Sequence, residues 1–151
     1  MNSDDLISSD GVFTKEQQQV IDAIANAMIR KDELLNLPSA SDPRVMKTIM
    51  HKAAHFSERL IEGINALNEE IDPLTSTPEA LLGVLDKNPK VRSFSRMLTI
   101  VVMQSYYQDP RVLTAHGQSA RPPFPLGHDV ESGDWSLLDP VKQRAPLYRR
   151  V

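Results

Sequence analysis

The chain has no cysteine, so disulfides, thiolate nucleophiles, zinc–thiolate sites and iron–sulfur clusters are all excluded. Aromatic residues are scarce at 5%, and the single tryptophan, Trp135, lies outside the helical part. The glycines at 11, 63, 83, 117, 127 and 133 form neither GxGxxG nor GxxxxGK[ST], which argues against a dinucleotide or ATP held by this chain alone. No run of Lys or Arg is long enough to track phosphates and the net charge is −3, so no nucleic-acid partner is expected. The most apolar run, Met97 to Tyr107, is about half of what a bilayer-spanning helix needs, and no direct membrane insertion is expected. The acidic opening MNSDDLISSDGVFTKEQ lacks a basic and apolar export signal, which makes a cytoplasmic location the expectation.

What is present is helical punctuation. Thr14-Lys-Glu-Gln17 is a capping box, and Val20, Ile21, Ile24, Ala27 and Met28 make one apolar stripe behind it, predicting a first helix from about Lys15 to Arg30. Asp42-Pro43 pairs a favoured N-cap with a first-turn proline that has no amide hydrogen to leave unsatisfied. The apolar positions Val45, Ile49, Ala53, Phe56, Leu60, Ile64, Leu67 and Ile71 then step by three or four residues, predicting one continuous helix of roughly eight turns, ended before Pro73. Thr77-Pro78 starts a short helix to about Lys87, Asn88-Pro89 a longer one to about Gln108, and Asp109-Pro110 a last turn or short helix ending near Gly117. The expected fold is all-α: four to five helices in a small bundle, followed by a long extended Pro-rich C-terminal arm. The expected division is a flexible lead over 1–13, a helical domain over 14–117 and a partner-binding arm over 118–151.

The arm has prolines at 122, 123, 125, 140 and 146, yet it carries Phe124, Leu126, Val130, Trp135, Leu137, Leu138, Val141, Leu147 and Tyr148. A disordered tail would be poor in such groups. Arg121-Pro122-Pro123-Phe124-Pro125-Leu126 favours polyproline II, which loses little entropy on docking. Such a strip suits a groove, either on the chain's own helices or on a partner. The partner is favoured because the helices have a matched seam of their own to bury. Trp135 is the expected anchor and Asp139-Pro140 a further helix N-cap.

Chemistry is harder to find. His51, His55 and Glu58 sit at i, i+4 and i+7, so on a continuous helix they would share a face and could meet one metal ion. The zincin pattern needs Glu directly after the first His, where this chain has Lys52, so the three are weak metal candidates. Asp134 and Asp139 flank Trp135 to Leu138 as a conceivable acid pair, but Asp139-Pro140 reads more simply as a helix N-cap. Tyr106-Tyr107 reads as core and rim packing. No catalytic or cofactor-binding residue is assigned.

Tyr106-Tyr-Gln-Asp-Pro-Arg-Val112, Arg121-Pro-Pro-Phe-Pro-Leu-Gly127 and Asp134-Trp-Ser-Leu-Leu-Asp-Pro-Val141, with Phe13-Thr-Lys-Glu-Gln-Gln at the head, resemble the gluconate 2-dehydrogenase subunit 3 family. The likeness spans most of the chain and is strongest over 106–141; its motifs are packing and turn motifs, not chemical signatures. It implies an accessory subunit of a glucose–methanol–choline type dehydrogenase or oxidase. In such complexes the large flavoprotein subunit holds FAD and oxidises an alcohol or sugar hydroxyl, and the small subunit supports its folding. The residues expected to contact a partner are Tyr106, Tyr107, Arg121, Pro122, Pro123, Phe124, Pro125, Leu126, Trp135, Leu137, Leu138 and Tyr148. Many such small subunits carry a twin-arginine signal that residues 1–13 lack, which points to an intracellular complex. The alternative is a free-standing helical metal- or ligand-binding protein using His51, His55 and Glu58.

Overall fold

The computed structural model describes residues 11–120 and 133–144, which fall into two separate compact units divided after Arg121. In the first unit six α-helices follow in order: α1 (Lys15–Met28), α2 (Pro43–Ala54), α3 (Ser57–Glu70), α4 (Pro78–Lys87), α5 (Arg92–Tyr106) and α6 (Pro110–Ala115). The second has a 3₁₀ turn (Trp135–Leu138) running into α7 (Asp139–Lys142). Among the described residues there is no strand beyond one antiparallel bridge between Asp32 and Leu37, and no helix is long and apolar enough to cross a membrane.

The capping logic holds at four helix starts. Thr14 Oγ1 accepts from the Gln17 amide at 3.2 Å while Gln17 Oε1 accepts from the Thr14 amide at 2.9 Å. Asp42, Thr77 and Asp109 each cap a helix through the side chain, with a proline in the first turn behind. Phe13 is buried in the core, so the lead expected over 1–13 ends before it. Gly117, at φ +72°, takes the left-handed conformation that closes α6. Its amide and that of Gln118 donate to the Thr114 and Leu113 carbonyls, a Schellman stop.

Two expectations need correction. The long second helix is broken: His55 and Phe56 donate back three residues, to Lys52 and Ala53, and Phe56 sits at φ −122°, ψ 21°, off the helical path. The elbow turns α3 so that both α2 and α3 pack on α5. Val45, Ile49, Ala53, Leu60, Ile64 and Leu67 keep their place in one core seam, and Phe56 leaves it, 45% exposed. Asn88-Pro89 begins a turn and not the helix. Asn88 Oδ1 accepts from the Lys90 amide, and α5 starts only after buried Val91.

Helix α5 is the hub, contacting α2, α3 and α4, while α1 lies against α4. Its crossing with α3 is set by Gly63, where a Cβ would stand 2.3 Å from the Phe94 ring, a distance no side chain tolerates. The tetrapeptide Asp-Pro-Arg-Val occurs twice, at 42–45 and 109–112. Each Asp caps and each Val is buried. Arg111 joins the two caps: its Nη1 and Nη2 donate to Asp42 at 3.1 and 2.8 Å, and its Nε and Nη2 to Asp109 at 3.0 and 2.9 Å. This guanidinium holds both carboxyls below the usual carboxylate range, and they hold Arg111 protonated.

Candidate functional site

The described part of the arm is helical, not extended. Asp134 Oδ1 accepts from the Ser136 amide at 3.0 Å and starts the 3₁₀ turn. Hydrogen bonds from Ser136 hold the Asp134 carboxyl below its ordinary range. The cap expected at Asp139-Pro140 therefore belongs to Asp134. Asp139 is the first residue of α7, where its charge suits the helix N-terminus, and it pairs with Lys142 at 3.1 Å. This short scaffold presents Trp135 (74% exposed), Leu137 (76% exposed), Leu138 and Val141. Four large apolar side chains on a 3₁₀ turn capped by Asp134 and the helical turn that follows are exposed groups that water solvates poorly and an apolar partner would cover. Arg121, Pro122, Pro123, Phe124, Pro125, Leu126 and Tyr148 lie outside the described residues.

The two tyrosines separate. Tyr106 is buried and donates its hydroxyl to the Pro38 carbonyl at 3.0 Å, so it ties α5 to the α1–α2 loop and is not a surface contact. Burial is the main reason its hydroxyl is held above its ordinary pKa. Tyr107 is exposed, with its ring edge-on to Tyr106 and tilted against His116.

The break at His55 and Phe56 removes the premise of the metal reading, since Glu58 in α3 and His51 in α2 do not sit on one continuous helix. The two imidazoles meet edge to face, 5.8 Å apart at their centroids, and both are exposed. Among the described residues no group of three or more His, Asp or Glu is placed to hold a metal ion. Nor is any buried side-chain nitrogen or oxygen left without a partner among them.

Sequence reasoning missed two surfaces. The first is the loop after α1, where Asp32 Oδ1 accepts from the Leu34 and Leu35 amides and the Asp32–Leu37 bridge closes the turn. Leu34 at its tip is 97% exposed. A cleft of about 810 Å³ adjoins this loop, but its cations are already engaged, Lys31 by Glu33 and Arg111 by Asp42 and Asp109. The second is a groove of about 650 Å³ between the α2–α3 elbow and α5, lined by Lys52, His55, Phe56, Arg59, Ser93, Met97, Ile100, Val101 and Gln104. The near-continuous apolar run at 97–103 was the available signal, because it leaves an outward face that still carries Ile100, 57% exposed, and Met103.

No protein-family model, curated protein or solved structure matches the chain.

Proposed function

We propose that this chain is a non-catalytic small subunit that binds and stabilises a large FAD-dependent oxidoreductase acting on an alcohol or sugar hydroxyl. The observation that carries the subunit role is the exposed set Trp135, Leu137, Leu138 and Val141 on a capped helical scaffold. Exposed aromatic and aliphatic side chains carried on a short helical turn are the usual chemistry of an interface anchor. The resemblance over 106–141 supplies the class of partner, a glucose–methanol–choline type flavoprotein. Tyr107 and residues 121–126 and 148 are proposed to add to the contact. The FAD belongs to the partner, and the chemistry with it.

Purification of the tagged chain from its native cells, with assembly mass and visible spectrum recorded together, tests the reading. The expected result is a yellow assembly several times the mass of this chain. A monomer without a flavin-containing companion would exclude the proposal and return attention to a free-standing binder.

A further inference from the structure

The groove between the α2–α3 elbow and α5 has a one-sided chemistry. Its floor is apolar: Phe56, Met97, Ile100 and Val101. Its rim carries Lys52, Arg59 and His55, and no Asp or Glu appears among its lining residues. That bias runs against the whole chain, which has 20 acidic residues to 17 Lys and Arg. Partial burial disfavours the charged form of Lys52, so a neighbouring anion would relieve a cost already present in the free protein. The groove lining runs along α5 from Ser93 to Gln104, about 16 Å or three helical turns, with its apolar part from Met97 to Val101. A groove of that length receives a partner helix whose residues at i and i+3 or i+4 meet the apolar part while its polar flanks meet the ends and rim.

We propose that this groove is a docking site for an amphipathic acidic helix of a partner protein, its apolar face on Phe56, Met97 and Ile100 and its carboxylates against Lys52 and Arg59. The inference goes beyond the flavoprotein reading, since it requires only the partner's helix and no flavin. It also stands on different residues from the 133–144 surface.

The test is fluorescence anisotropy of the full chain with a labelled three-turn synthetic helix bearing Leu and Phe on one face and Glu on its flanks. A second helix of the same apolar face has Lys in place of Glu. The Glu helix should bind more tightly than the Lys helix, with the difference shrinking in high salt. Ile100→Glu should weaken Glu-helix binding by about ten-fold or more, and Lys52→Glu or Arg59→Glu by about three-fold each. The Lys52→Glu/Arg59→Glu double variant should reverse the preference between the two helices. These side chains lie at the surface, and the milder Ile100→Gln, checked by circular dichroism, separates lost binding from lost fold. Equal binding of both helices, or wild-type affinity in Ile100→Glu, would overturn the proposal. So would saturable binding of dodecanoate with neither helix bound, which would reassign the groove to a small anionic amphiphile. The chain is tested here without its flavoprotein, so this assay fails or succeeds separately from co-purification.

Discussion

The two described regions treat their apolar residues in opposite ways. In residues 11–120, Ile21, Ile24, Ile49, Leu60, Ile64, Leu67 and Leu98 are fully buried, and the core runs unbroken from Phe13 to Val112. In residues 133–144 no residue is buried, although Trp135, Leu137, Leu138 and Val141 are as apolar as those of the core. Composition does not separate the regions; what differs is whether enough neighbouring elements exist to cover each side chain. The first region can hold its own fold by burial. Among its described residues the second has a 3₁₀ turn and one turn of α-helix, and it leaves its large apolar side chains exposed. On the proposed reading, stability and binding fall in different stretches of one chain.

Mutations can break or sharpen that contrast, and the largest effect belongs to the hub helix. Leu98→Ala should cost about 3 kcal/mol in urea unfolding, because a fully buried side chain leaves a cavity that α5, packed on three sides, cannot close. Arg111→Ala should cost about 2 kcal/mol, since Asp109 loses its partner while its side chain stays buried; Arg111's own partial exposure keeps the loss below that of a fully buried pair. The same network sets a pH dependence. Asp109 and Asp42 have folded pKa values below their unfolded ones, so their contribution is complete above the unfolded carboxylate value of about 4. It is lost as pH falls through the folded values. Thermal melts of the wild type should therefore drop at acid pH, and those of Asp109→Asn should drop less.

Gly63→Ala sits between the extremes. Alanine favours the helix by up to about 1 kcal/mol, but its Cβ would overlap the Phe94 ring and Cβ, and overpacking of this kind costs about 1–3 kcal/mol. A net loss of about 1 kcal/mol is expected from chemical denaturation. Trp135→Ala should change unfolding least, by under about 0.5 kcal/mol, since an exposed side chain adds little to the fold.

The parts of the fold legible in the sequence were those decided locally. A capping box needs only Thr14 and Gln17, and Asp42-Pro43, Thr77-Pro78 and Asp109-Pro110 mark their helix starts from the cap and first turn alone. The elbow at Phe56 was not legible because the three- and four-residue steps continue through it with no proline or glycine to mark the break; it follows from α3 having to meet α5 at Gly63 and Phe94. The groove depends on that elbow and was hidden with it. Tyr106 and Tyr107 are neighbours of one type; Tyr106 continues the buried face of Leu98 and Val102, and its hydroxyl reaches the distant Pro38 carbonyl. Repetition of Asp-Pro-Arg-Val was visible, but its meaning, two caps tied by one arginine, required the tertiary fold.

The central claim, that the apolar surface at 133–144 serves a partner and not the fold, is tested most directly by Trp135→Ala/Leu137→Ala in the full chain, tagged in its native cells. Co-purified flavin absorbance and assembly mass are read beside the urea midpoint. The account predicts an unchanged midpoint and loss of the flavin-bearing companion that the wild-type chain retains. An unchanged companion, or a midpoint that falls like that of a core variant, would contradict it.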